Sequence, residues 1–184
     1  MRTESGAVKA LAEVRRGERL RAVDAAGRLV YSEVLLFLDR DAGERRHFVV
    51  IDAEGGARVT LTPSHLIYTV SAADLLEDVD LDLEENAVDG VEASASLRLA
   101  DAVSETALRR RLKATFAHKA QIGDWILVAD ADADAAGADA VPKPRRIVNV
   151  GVSQHQGVYA PLTVDGTLVV DQVPTFDLVS PSFT

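Results

Sequence analysis

The chain has 184 residues and a formal net charge of −9 at pH 7, which predicts one domain and argues against a nucleic-acid surface, where clustered Lys and Arg are needed. Cysteine is absent, so residues 1–184 contain no disulfide, no thiolate metal site and no thiol nucleophile. The sequence shows neither a run of about 18 apolar residues nor the apolar core of a signal peptide; it therefore predicts no membrane span and leaves the localisation unassigned.

Short strands separated by turn residues are predicted along the first third of the chain. The apolar run 29–38 is assigned to a strand that ends at Asp39-Arg40-Asp41, because glycine-containing turns flank it on both sides. A further strand, 48–51, is followed by the glycine-rich segment 52–56, which predicts a hairpin loop. The strand that returns after this loop is predicted at 58–62.

The stretch 58–65 predicts a strand that ends in a tight helical turn. Thr62 before Pro63 is a helix-start signal, because a hydroxyl caps the first N–H groups and proline has no N–H to leave unpaired. The turn brings the Thr62 hydroxyl and the His65 imidazole together beside outward-pointing N–H groups. Such a corner can hold a carbonyl and pass a proton to a leaving nitrogen. From the spacing alone, a capped turn with a surface histidine is the simpler interpretation.

An acidic segment follows these strands. Asp and Glu crowd residues 71–96, and apolar residues share one helical face over about 101–113. We interpret 71–113 as an acidic surface insertion that carries one short helix. Strands are predicted to resume at 123–128, 146–152, 157–162 and 167–170.

Two distant segments are similar to each other. Gly17-Glu18 opens a strand that ends at Asp24, and Gly123-Asp124 opens a strand that ends at Asp130; a longer strand is predicted after each. Duplication of a β unit explains the similarity, although a glycine and an acidic residue before a strand are also ordinary turn chemistry. With many short strands and few helices, the sequence predicts an all-β fold of two related halves within one domain, 1–184.

Several ordered blocks resemble one family. The blocks are Val30 to Arg40, Val59 to Leu66, Gly157-Val158-Tyr159-Ala160-Pro161-Leu162-Thr163 and Gly166-Thr167-Leu168-Val169-Val170. Together they resemble the hedgehog autoprocessing domain, a Hint (hedgehog/intein) module. The resemblance covers most of residues 4–173 and implies a flat, pseudo-two-fold, all-β disc.

The resemblance also implies a chemistry. In the family, a cysteine at the start of the module attacks the preceding carbonyl to form a thioester, which a nucleophile such as a sterol then releases. By similarity, Thr62 and His65 activate the scissile amide and Asp39 is the base toward the incoming nucleophile. The implied partners are the chain's own N-terminal precursor segment and a sterol or small nucleophile. No cofactor or metal is implied, and a monomer is expected.

Residues 1–184 depart from the family pattern in ways that bear on activity. The nucleophilic cysteine is absent, and Phe176-Asp177-Leu178 stands where the family usually has Ser-Cys-Tyr. As written, the sequence is expected not to cleave itself. Two functions follow: the module of a self-processing precursor that needs a Cys-led segment, or a degenerate Hint scaffold that acts as a non-catalytic binding or structural module.

Overall fold

The computed structural model describes residues 1–76, 105–130 and 140–177. Within these ranges, nine strands are β1 Arg19–Val23, β2 Leu29–Ala53, β3 Arg58–Leu61, β4 Leu66–Val70, β5 Lys113–Phe116, β6 Trp125–Val128, β7 Lys143–Thr163, β8 Thr167–Val170 and β9 Val173–Phe176. The helices described there are short: α1 Ala72–Leu76, α2 Glu105–Arg110, and 3₁₀ turns at Leu11–Glu13, Glu54–Gly56 and Ala117–Lys119. The all-β fold class predicted from the sequence is confirmed.

The strands form one antiparallel sheet that nearly closes on itself. Its order is β1-β2-β7-β6-β4-β9-β8, with β3 paired to β2 and β5 to β4. The two ends of this path meet through Thr167 on β8. The Val23 N–H donates to Thr167 Oγ1 at 2.9 Å, and that hydroxyl donates to the Val23 carbonyl at 2.6 Å. A side chain thus joins β1 to β8 where the structure shows no backbone ladder.

The two related halves appear in the sheet order. A short strand pairs with a long one twice, β1 with β2 and β6 with β7, and the long strands β2 and β7 pair with each other in the middle. Fully buried residues from both halves, including Leu20, Ile51, Ile126 and Ile147, pack into one apolar core. The repeated strand-turn-strand pattern therefore has a structural counterpart in each half.

One sequence prediction about the long strands was wrong. The run from residue 29 was expected to end at Asp39 to Asp41, but β2 continues to Ala53, with irregular register after Phe37 and between Asp41 and Arg45. The segments 146–152 and 157–162 likewise merge into β7. Each long strand supplies the other's backbone hydrogen-bond partners, which lets polar residues remain extended whatever their own β-propensity.

The predicted insertion lies mostly outside the described residues, since 77–104 are not among them. The described part of its helix, α2, ends at Arg110 rather than at the expected 113, because Lys113 already begins β5. Leu108 on α2 packs with Leu75 and Val70. Asp124 anchors the start of α1 by accepting the Ala72 N–H at 3.0 Å. No helix in the described parts of the chain is long and apolar enough to cross a membrane.

Candidate active site

A pocket of about 130 Å³ opens between β2, β3, β7 and the β8–β9 hairpin. Asp39, Thr62 and His65, the residues singled out by the resemblance, all line this pocket. Asp39 comes from the middle of β2, whereas Thr62 and His65 lie in the turn between β3 and β4. The fold therefore gathers a carboxylate, a hydroxyl and an imidazole from two separate segments, and their catalytic roles stay predictions.

The turn that carries Thr62 and His65 is held at both ends. The His65 N–H donates to the Thr62 carbonyl at 3.0 Å, which closes a tight turn. The chain then enters β4 at Leu66, so the expected helix start goes no further than this one turn. The His65 carbonyl accepts the Ala117 N–H at 2.7 Å, and the Pro63 carbonyl accepts the His118 N–H at 3.1 Å. These bonds fix the backbone before any substrate arrives.

His65 is partly buried in the pocket wall rather than standing on the surface, as the simpler interpretation held. Burial lowers the pKa of its imidazole from 6.5 to about 4, because a low-dielectric surrounding disfavours the charged form. His65 is therefore neutral at pH 7. A neutral imidazole can accept a proton from a nucleophile, and it can donate a proton as a cation only after it has gained one.

Asp39 reaches the pocket from a half-exposed position on β2. Its Oδ2 lies 3.3 Å from Nη1 of Arg46, which also binds Glu44 at 2.6 Å. A pair this exposed contributes little to stability, since water screens it. Its consequence is local: the ion pair keeps the Asp39 carboxylate at the pocket wall, where it can accept a proton.

Asp177 is a further carboxyl of the pocket to which the sequence analysis gave no role. It is only 5% exposed, and its Oδ2 is bonded to the Thr163 N–H at 2.6 Å and to Thr163 Oγ1 at 2.8 Å. Burial raises the pKa of this carboxyl from 3.8 to about 6, although both bonds to Thr163 act in the opposite direction. The available sequence signal was its position, since Asp177 stands where the resembling family usually has the cysteine of Ser-Cys-Tyr.

Gly157 shapes the pocket from β7, where its φ of +94° lies in the left-handed region. A Cβ at this position would meet Cε2 of Tyr159 at 2.9 Å. The glycine therefore permits both the backbone conformation and the close approach of a tyrosine that also lines the pocket.

Gly157→Ala is expected to lower the free energy of unfolding by about 1–3 kcal/mol, because alanine strains the positive φ and meets the Tyr159 ring. Urea unfolding measures the change. Gly151→Ala on the same strand is the matched control, since Gly151 has no positive φ and nothing within 4 Å of an added Cβ. Equal effects of the two variants would contradict the expectation.

The described residues contain no group of three or more His, Asp or Glu side chains arranged to hold a metal ion. The fold and pocket define a class: an all-β module of two related halves whose strands and turns converge on a site with hydroxyl, imidazole and carboxyl groups. The family model described as the Hint module matches residues 1–176, and the chain belongs to this family.

Comparisons with individual proteins agree with this assignment. The chain is 33% identical over 170 residues to the protein hedgehog of Drosophila hydei and 30% identical over 170 residues to that of Drosophila melanogaster. The matches cover 92% of this chain and 27% of each of those proteins, so the chain spans about a quarter of their length.

Among solved structures, the fold is similar to those of inteins, as two examples show. The Ssp DnaB mini-intein variant M86 has a TM-score of 0.61 at 9% identity, with 97% of this chain and 90% of that chain covered. The TvoVMA intein has a TM-score of 0.52 at 12% identity, with 90% and 69% covered. At these identities the similarity shows the fold alone.

Proposed function

We propose that this chain is the autoprocessing module of a hedgehog-type precursor, and that its pocket cleaves the peptide bond before a Cys-led segment joined to residue 1. The observation that carries the proposal is that Asp39, Thr62 and His65 line one pocket in a chain of the Hint family. Residues 1–184 supply the groups that assist the reaction but no thiol. Without the Cys-led segment they do not form a thioester.

The first step is an acyl shift from nitrogen to sulfur. The thiol attacks the carbonyl before it, a C–S bond forms, the C–N bond breaks, and one proton moves from sulfur to nitrogen. Neutral His65 accepts the thiol proton and then delivers it to the departing nitrogen, which makes that nitrogen a better leaving group. The pKa lowered by burial supports this order of events, because the imidazole enters the reaction without a proton to give.

Thr62 and Asp39 assist the two attacks on the carbonyl carbon, the first by the thiol and the second by the acceptor. The Thr62 hydroxyl donates a hydrogen bond to the carbonyl oxygen as negative charge develops on it. Asp39 then takes the proton from the hydroxyl of an acceptor, such as a sterol or small nucleophile. The acceptor oxygen forms a C–O bond with the acyl carbon, the C–S bond breaks, and the thiolate is reprotonated.

The test is a fusion protein in which a reporter is followed by a Cys-led segment and then by residues 1–184. Hydroxylamine cleaves thioesters, so the reporter is expected to be released in its presence, and its release is followed by gel electrophoresis. Replacement of the added cysteine by alanine is the control and is expected to abolish release. A folded fusion protein that releases no reporter, or that releases it equally without the cysteine, would contradict the proposal.

A second candidate is a degenerate Hint scaffold that acts as a non-catalytic binding or structural module. The observation that favours it is the absence of cysteine from residues 1–184. The same experiment separates the two functions, because this candidate predicts a folded fusion protein that is inert to hydroxylamine at every pH.

A further inference from the structure

The strand β7 borders the pocket with one of its two edges. Five consecutive residues, 157–161, line the pocket, so the strand backbone itself forms part of the wall. Along one edge, β7 pairs with β2 from Ile147 to Thr163. Along the other edge it pairs with β6 at residues 143–146, and no further strand in the described ranges pairs with it. An unpaired strand edge presents N–H and C=O groups to which another strand can bind.

The hydrogen bonds at Thr163 show which backbone groups of β7 point away from β2. Thr163 lies opposite Val34, but its N–H donates to Oδ2 of Asp177 at 2.6 Å. The backbone of Val34 bonds to Gly17 and Glu18 instead, at 2.8 and 2.9 Å. Thr163 and Val34 therefore form a pair without hydrogen bonds between them. In an antiparallel ladder such pairs alternate with hydrogen-bonded pairs.

The alternation extends from Thr163 to Pro161 and Tyr159. The two register shifts in this stretch place the extra residue on β2, at Leu35 and at Leu38, so β7 keeps its regular alternation. Pro161 agrees with this assignment, because a proline has no N–H and is tolerated where the ladder needs none. Tyr159 is then a residue whose N–H and C=O both point away from β2, at the pocket that it lines.

This unpaired edge is short. Gly157, two residues before Tyr159, has a φ of +94°, which is not extended backbone, so the regular alternation ends there. Pro161 offers a carbonyl but no N–H. Tyr159 is thus the residue within 157–161 that presents a complete N–H and C=O pair, and the edge has room for one short extended segment of peptide.

A segment joined to residue 1 is directed toward this pocket. The backbone nitrogen of Met1 donates to the Lys9 carbonyl at 2.7 Å, and the Lys9 N–H donates to the Met1 carbonyl at 2.8 Å. Residues added before Met1 in the same antiparallel direction run beside Ala10 and Leu11. Leu11 lines the pocket, so the added segment arrives at the site that holds Tyr159.

We propose that the β7 edge at Tyr159 binds the precursor peptide around the scissile bond as an added β-strand. The Tyr159 carbonyl accepts an N–H of the peptide, and the Tyr159 N–H donates to a peptide carbonyl. The proposal rests on the proposed function and states how its substrate is held. Main-chain hydrogen bonds supply affinity without depending on side chains. The substrate class is therefore an extended segment of variable side-chain sequence that keeps its N–H groups.

The peptide is tested by substitutions before the cysteine of the fusion protein. The residue directly before the cysteine supplies the scissile carbonyl and stays constant. The second, third and fourth residues before it are replaced singly by proline, which has no N–H, and by alanine, leucine and glutamate, which keep it.

Proline at the position whose N–H pairs with the Tyr159 carbonyl is expected to slow hydroxylamine-dependent release about tenfold, since that bond is lost and the proline ring crowds the edge. The side-chain changes are expected to alter the rate by less than about threefold, because each keeps the main-chain bonds. Proline without effect at all three positions overturns the proposal, and so do side-chain effects as large as those of proline.

The protein is tested at Tyr159 itself. Tyr159→Ala and Tyr159→Pro both remove the ring, and only proline removes the N–H as well. Because this N–H does not bond to β2, proline leaves the ladder intact. Tyr159→Pro is expected to release the reporter about three- to tenfold more slowly than Tyr159→Ala, the effect of one main-chain hydrogen bond. Thermal unfolding checks that both variants are folded. Equal rates of two folded variants overturn the proposal, and if Tyr159→Pro does not fold, the peptide substitutions decide.

The failure of this proposal is distinguishable from the failure of the proposed function. If the folded parent fusion protein releases no reporter, the proposed function fails, and the edge has no substrate to bind. If the parent releases its reporter and proline has no effect in the peptide or at Tyr159, the binding edge alone is wrong.

Discussion

Replacement of His65 by alanine in the Cys-led fusion protein is expected to slow hydroxylamine-dependent release by about 10²–10⁴-fold, the range typical of a general acid–base group. The reason is that one proton has to travel from sulfur to nitrogen, and neutral His65 is the group placed in the pocket to carry it. The rate of reporter release at pH 7, measured over time by densitometry, gives the ratio.

His47→Ala is the matched control for this variant. His47 is an exposed histidine on β2 and does not line the pocket, so its removal changes the histidine count without touching the site. We expect the control to retain the parent rate, and circular dichroism of both variants checks that the sheet is intact. Unchanged release in the His65 variant would remove the imidazole from the mechanism.

Asp177→Asn is expected to stabilise the fold at pH 8 by about 3 kcal/mol at most, which corresponds to the rise of the Asp177 pKa from 3.8 to about 6. A carboxyl with a raised pKa in the folded state contributes stability that is complete below about pH 4. That contribution is lost as the pH rises through about 6, because the buried carboxylate is then charged. Asparagine is free of this penalty.

Urea unfolding of parent and variant at pH 4 and pH 8 measures this effect. The difference is expected to be large at pH 8 and to shrink toward zero near pH 4, with a melting temperature higher by roughly 5–10 °C at pH 8. Asp165→Asn, an exposed carboxyl at the turn between β7 and β8, is the control and should change little. A stabilisation independent of pH would show that charge is not its cause.

Local signals in the sequence were sufficient to predict the turn that carries Thr62 and His65. The alternating strand, the hydroxyl of Thr62 and Pro63 follow one another within a few residues. The turn forms where this pattern predicts it. After this single turn the backbone enters β4 at Leu66. Nothing local reveals that Asp39 and Asp177 line the same pocket as His65, since only the sheet brings them together.

The long strands show why the rest was not predictable from local patterns. Residues 39–47 are mostly polar, so by themselves they resemble a loop. They remain extended because β7 runs beside them, with Arg40 opposite Tyr159 and His47 opposite Gln154. The partner strand lies far away in the sequence, and the β-propensity of residues 39–47 carries no information about it. The family resemblance singled out three residues that line the pocket, whereas the strand boundaries required the structure.

The pairing of β2 with β7 also has a consequence for synthesis. Ala53 pairs with Ile147 and Val34 pairs with Thr163, so translation completes β2 long before its partner strand β7 is synthesised. At about 5–20 residues per second, the ribosome leaves the β7-facing edge of β2 uncovered for roughly 5–25 s. During that interval residues 34–48 of β2 have no partner strand, since β1 pairs with 29–33 and β3 with 49–52; this stretch is a surface prone to aggregation and suited to chaperone binding.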